Sequence, residues 1–209
     1  MNTQAGYLLV VEDIPDILKL LEATLRFRGY RVITARNGDE ALEAIQQERP
    51  AMVITDILMP RLDGFSLVHR LRINPETRDI PVVFITATYV APEDREFALN
   101  IGVTRFIEKP VDLEKFLSMV AELLAQPTPP GREPLDEFNF YEGYRKRLEA
   151  KLEQKIAKIA RTEHLLETSP EDEKPSHRAS LRQTISEQEE IQRLLAQVHE
   201  QLEKINKPE

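Results

Sequence analysis

The feature that most constrains the fold is a regular exchange between two hydrophobic periods across the first 125 residues. Short apolar runs rich in Val and Ile occur at Tyr7–Val11, Arg31–Thr34, Met52–Thr55, Val82–Thr86 and Arg105–Ile107. Such runs suit strands buried on both faces. Helical spacing fills the gaps: Ile17, Leu20, Leu21, Thr24 and Leu25, then Ala41, Leu42 and Ile45, then Phe65, Val68 and Leu71, then Phe97 and Leu99. A last set, Leu113, Phe116, Leu117, Val120 and Leu124, closes the series. Strand–helix alternation with short connections predicts an α/β fold, a five-stranded, doubly wound parallel sheet with helices on both faces. In such sheets chemistry collects beyond the carboxyl ends of the strands, near the point where strand order reverses.

The pattern stops at Gln126-Pro127-Thr128-Pro129-Pro130-Gly131-Arg132-Glu133-Pro134, four prolines in nine residues. Proline removes an amide donor and blocks helix continuation, so the last helix must end here and a semi-stiff spacer follow. The sequence therefore divides into a first domain over 1–125, a proline-rich linker over 126–134 and a helical region over 135–207. Two helices are predicted in that region, at about 136–168 and 177–206. Leu181, Gln188, Leu195 and Leu202 repeat every seven residues, and Thr184, Ile191, Val198 and Ile205 follow at an offset of three. That is a mostly apolar coiled-coil seam. The earlier stretch, with Leu148, Leu152, Ile156, Ile159 and Leu166, is closer to a 3.6-residue period. Thr168–Ser176 reads as a breaker loop in which Pro170 and Pro175 end one helix and Ser176 caps the next. Two long helices with one short loop should form an antiparallel hairpin.

Composition sets further bounds. The net charge is −8, and residues 132–209 carry 14 Lys+Arg against 17 Asp+Glu, so neither half offers a broad positive field for nucleic acid. No apolar run approaches the length of a membrane span and no leader is evident, while cysteine is absent, excluding disulfides and thiolate metal sites. A cytoplasmic protein is expected.

Strand one ends in Val10-Val11-Glu12-Asp13 and strand three in Ile54-Thr55-Asp56. If the strands are neighbours, three carboxylates converge. Acidic residues often end strands because loops are solvated, but three together are unfavourable without a cation. Oxygen-only ligands with open positions suit Mg²⁺, or Mn²⁺ with similar preferences.

Four blocks carry a family resemblance: Val10-Val11-Glu12-Asp13; Asp56-Ile57-Leu58-Met59-Pro60-Arg61-Leu62-Asp63-Gly64; Ile85-Thr86-Ala87; and Lys109-Pro110. In order and spacing they resemble the signature of response-regulator receiver domains, over about 125 of the 209 residues. The resemblance implies a flavodoxin-like receiver fold and a phosphoryl group accepted on Asp56 from a sensor histidine kinase. It implies Mg²⁺ held by Glu12, Asp13, Asp56 and the backbone carbonyl of Leu58. Lys109 would pair with Asp56 and then with a phosphate oxygen. Thr86 would be the switch hydroxyl and Phe106 the switch aromatic, with a permanently buried ring as the alternative for Phe106. Pro60, Gly64 and Pro110 would be structural, Pro110 following a cis bond. Leu58 and Thr88 fall where the family tunes dephosphorylation, and Glu12 stands where an aspartate is common. The readout face would be helix four, strand five and helix five, roughly Pro92–Leu124. A receiver of this kind catalyses only its own phosphoryl transfer and dephosphorylation.

For the hairpin, the favoured reading is homodimerisation and partner docking, with phosphorylation altering association; Ile185 and Leu194 widen the apolar face toward a four-helix bundle. A phosphorelay or kinase-like element rests only on His164-Leu165-Leu166-Glu167, which lacks the usual Glu directly after the His. A transcription-related output rests on the basic set Arg145, Lys146, Arg147, Lys151, Lys155, Lys158 and Arg161, which has no aromatic interleaving. A connection to an output domain outside this chain is the remaining alternative.

Overall fold

The computed structural model describes residues 6–87, 92–125 and 134–206. The chain separates into two compact units, Met1–Leu135 and Asp136–Glu209.

The first unit runs β1(Leu8–Val11), α1(Pro15–Phe27), β2(Val32–Ala35), α2(Gly38–Gln47), β3(Met52–Asp56), α3(Gly64–Ile73), β4(Val82–Ala87), α4(Pro92–Asn100), β5(Arg105–Lys109) and α5(Leu113–Ala125). All four strand pairings are parallel, in the order β2-β1-β3-β4-β5. The strand order reverses at β1 and β3, whose register pairs Val11 with Thr55. The chain ends of these two strands therefore sit side by side, which brings Glu12 next to Asp56.

Leu8, Val10, Ile54 and Ile85 pack one sheet face against Leu18, Leu21 and Leu25 of α1 and Phe116 and Val120 of α5. On α3, Phe65 meets Phe84 of β4 edge-on at 5.3 Å and Phe97 of α4 at 5.5 Å. Burying leucine- or phenylalanine-sized side chains is worth about 1.5–3 kcal/mol each, so both layers contribute heavily. Two positions depart from the sequence reading. Leu20 is half exposed while Leu18 is buried, and Leu99 is exposed while Ala98 is fully buried. Leu18 and Leu20 lie on nearly opposite faces of α1, and Ala98 and Leu99 about 100° apart on α4, so the way each helix is turned toward the sheet decides which residue is covered.

The second unit is two long helices, α6(Glu137–Thr168) and α7(Lys174–Asn206), packed together as a hairpin. Asp136 caps α6 by accepting the Asn139 amide at 2.9 Å. The turn between the helices is shorter than the sequence suggested. Pro175 does not end a helix, and Ser176 is not a cap, because α7 begins at Lys174. Proline is tolerated in a first helical turn, where its missing amide has no partner to lose. The Lys155 ammonium donates to Glu187 Oε2 across the hairpin, so these two residues stand level. No described helix is long and apolar enough to cross a membrane.

Buried side chains are unevenly distributed along this hairpin. Phe140, Tyr144 and Leu148 of α6 and Ile191, Leu194, Leu195, Val198 and Leu202 of α7 are buried. Nearer the turn only Thr162 and Thr184 are buried. Both satisfy their hydroxyls within their own helix, on the carbonyls of Lys158 and Ser180. The seam residues Leu181, Gln188 and Ile205 are only partly covered. Ile156, read as part of the inner face of α6, is half exposed.

Candidate functional site: an acidic pocket with one lysine

Glu12 follows β1, Asp56 ends β3 and Lys109 ends β5, all at the carboxyl edge of the sheet. The register pairs Asp56 with Ile85, and Ala87 with Lys109. Lys109 lies two strands from Asp56, and its long stem spans the gap. Its ammonium donates to Asp56 Oδ2 and to Glu12 Oε2, each at 2.8 Å. The bond to Asp56 matches the sequence expectation; the bond to Glu12 was not foreseen, since residues 97 apart share no local signal. The peptide bond between Lys109 and Pro110 is cis, the isomer implied by the resemblance.

Carboxylate oxygens of Glu12, Asp13 and Asp56 all lie within 4.8 Å of one another. Glu12 is 1% exposed, and burial, with Asp56 as a lesser contributor, pushes its carboxyl above the usual range. Burial likewise raises Asp13, seconded by the negative charge of Asp56. For Lys109 burial acts to lower the pKa, but its bonds to Asp56 and Glu12 outweigh it and hold the ammonium charged. One lysine against three carboxylates leaves excess negative charge in a shielded pocket. An oxygen-ligated divalent cation would relieve it, so the donor set fits Mg²⁺.

The loop after β3 aims Asp56. Its Oδ1 accepts the Ile57 amide at 2.7 Å. Arg61 turns the chain through the left-handed region, at φ 68°. Asp63 then caps α3, accepting the Phe65 and Ser66 amides at 2.8 and 3.1 Å. Gly64 is required by close approach, since a Cβ there would sit 2.4 Å from the Asp56 carbonyl oxygen. Pro60 is exposed and Leu58 partly buried in this loop. The capping role of Asp63 was missed in the sequence, although an Asp just before an apolar helical run is a recognisable signal.

Thr86, near the end of β4, is 8% exposed. Phe106 on β5 is partly buried, neither sealed in the core nor free. Its ring meets Phe84 edge-on at 5.8 Å, and the guanidinium of Arg95 on α4 lies 5.5 Å from its centroid. Thr88 lies outside the described residues. His164 is exposed in the last turns of α6.

A carboxylate cluster at the reversal point of a doubly wound sheet, tied to a lysine on the last strand, is the arrangement that the resemblance to receiver domains implies. Residues 8–121 match the family described as response regulator receiver domain, and the chain belongs to that family, the receivers of two-component signalling. It is 37% identical over 115 residues to an uncharacterized 14.6 kDa protein of Leptolyngbya boryana, covering 55% of this chain and 87% of that one. It is also 37% identical over 122 residues to response regulator MprA of Mycolicibacterium vanbaalenii, covering 58% and 52%. Among solved structures, a putative response regulator from Chloroflexus aurantiacus aligns with TM-score 0.55 at 31% identity, over 59% of this chain and all of that one. Against relatives such as MprA the match spans about half of their length.

Proposed function

We propose that this protein is a phosphorylation-controlled association module, in which Asp56 takes a phosphoryl group from the phosphohistidine of a sensor kinase. The observation that carries this reading is Lys109 bridging Asp56 and Glu12 within the three-carboxylate pocket. An Asp56 carboxylate oxygen forms the new bond to phosphorus while the bond from phosphorus to the donor imidazole nitrogen breaks, and the imidazole retains or regains its proton. The Ile57 amide holds the Asp56 carboxylate in a fixed orientation, so little reorganisation is needed. Lys109 offsets the charge of Asp56 before transfer and would pair with a phosphoryl oxygen after it. Glu12, Asp13, Asp56 and the carbonyl of Leu58 would hold Mg²⁺. When bound, the cation neutralises charge on the carboxylate and the incoming phosphoryl group.

Thr86 is the hydroxyl nearest this chemistry on β4 and would hydrogen-bond the phosphoryl oxygens. Arg95 over Phe106 and Phe106 against Phe84 tie α4 to β5, so a shift at Thr86 reaches the α4–β5–α5 surface. Association through that surface and through the α6–α7 hairpin is the output we assign. The direct test is acetyl phosphate with Mg²⁺: the intact protein should gain one phosphoryl mass, and Asp56→Asn should gain none. Equal labelling of Asp56→Asn would remove the reading. Light scattering with and without beryllofluoride then reports whether acceptor occupancy changes the oligomer.

A further inference from the structure

The two flanks of the α6–α7 hairpin differ. With Lys155 level with Glu187, helical spacing of 100° per residue places Lys151, Lys155 and Lys158 of α6 on the same flank as Glu187 and Glu190 of α7. That flank is closed by charge. The opposite flank carries Leu152, Ile156 and Ile159 of α6 beside Leu181 and Ile185 of α7. Ile156 is 50% exposed and the other four are only partly buried. These residues occupy the turn-side half, where the buried positions between the helices are Thr162 and Thr184. The hairpin thus lacks an internal apolar core where it presents an external one.

We infer that this flank is the docking surface for the same flank of a second copy of the chain. The inference deepens the association reading above, and rests on it, by naming the face and the geometry. A two-fold interface must complement itself, and an uncharged Leu/Ile patch does so. The surrounding charges select one of two arrangements. With both turns at the same end, the axis runs along the bundle and each α6 faces the other copy's α7 in the hairpin's own register. Glu163 then falls level with the second copy's Arg178, and the hairpins overlap along their whole length. With turns at opposite ends, α6 faces α6 about Ile156, and overlap is confined to the turn-side halves; Glu149, paired with Arg145 in its own helix, meets the second copy's Glu163, and Arg145 its Glu167. The full-length overlap and the Glu163–Arg178 pairing point to a four-helix bundle with both turns at one end.

The test uses the full chain. Sedimentation should show a dimer at micromolar concentration. Ile156→Glu should raise its dissociation constant at least tenfold with helical circular dichroism preserved. Leu165→Glu, at an exposed apolar position on the charged flank, should leave the dimer intact. Because the chain has no cysteine, Asp172→Cys places a single spin label in the turn. Turns at one end put the two labels within about 25 Å, whereas opposite ends separate them by about 40 Å at 1.5 Å per residue. A monomeric wild type, or equal behaviour of Ile156→Glu and Leu165→Glu, would overturn the face. A long label distance would overturn the arrangement. Asp56 labelling by acetyl phosphate, measured on the same samples, separates the outcomes: its loss in wild type defeats the phosphoryl reading, while its persistence in a monomer defeats only the docking surface.

Discussion

The receiver unit and the hairpin unit solve the same burial problem differently. In the receiver, strands of near-continuous Val, Ile and Leu are covered on both faces, and the charged residues Glu12 and Lys109 are shielded only where each meets an opposite charge. In the hairpin, two helices of 32 and 33 residues bury large side chains along about half their length and leave the turn-side half to threonines. A sheet with helices on both faces can close its own core, whereas two helices alone expose at least one flank each. Closure suits a site that must hold its geometry during chemistry. An open flank suits a surface that exchanges partners.

Substitutions sharpen this contrast. The largest effect is expected at Gly64→Ala, where the new Cβ collides with backbone of Asp56 and Ile57 that cannot move aside cheaply. Urea unfolding of the full chain should show the receiver transition weakened by about 3 kcal/mol or more, with Asp56 labelling reduced. Next is Leu148→Ala, in the cored half of the hairpin, which should cost about 3 kcal/mol in the hairpin transition. Ile156→Ala removes a similar side chain from the open half. At concentrations low enough to keep the protein monomeric it should cost less than about 1 kcal/mol, since a half-exposed side chain leaves no cavity. Equal costs at Leu148 and Ile156 would erase the distinction between the halves.

The smallest effect belongs to the ion pair on the charged flank. Lys155→Met should change stability by under about 1 kcal/mol, as expected of a solvent-accessible pair. Burial acts to raise the Glu187 carboxyl, but the Lys155 hydrogen bond outweighs it and holds the pKa below its ordinary value of 4.5. A depressed carboxyl pKa contributes stability above the ordinary value and loses it as pH falls through the depressed one. The wild-type advantage over Lys155→Met should therefore be present at neutral pH and vanish in acid. An advantage that persists at low pH would contradict the assignment of the effect to the Lys155–Glu187 charge pair.

Much of the receiver was legible because strand periodicity and the position of carboxylates at strand ends survive in one dimension. Asp56, Glu12 and Asp13 could be brought together from chain order alone once β1 and β3 were neighbours. The Lys109–Glu12 bond could not, because it depends on how far a lysine stem reaches across two strands. Leu20 and Leu18 show a second limit: both fit the apolar spacing of α1, and only the sheet beneath decides between them. The hairpin was legible as two helices and a turn. Its uneven core was not, because steps of four from Leu148 through Leu152 to Ile156 look like one stripe but turn about 40° each time, carrying Ile156 round to the flank. The start of α7 was misplaced because a proline signals a helix end and a first helical turn alike.

On the reading proposed above, a single carboxylate, Asp56, becomes an acyl phosphate. Borohydride reduction of protein treated with acetyl phosphate and Mg²⁺ converts a phosphorylated aspartate to homoserine, which peptide mass mapping locates. Homoserine at position 56, lost when Mg²⁺ is withheld, is the predicted result. Homoserine at Asp13 or elsewhere, with residue 56 unmodified, would contradict it.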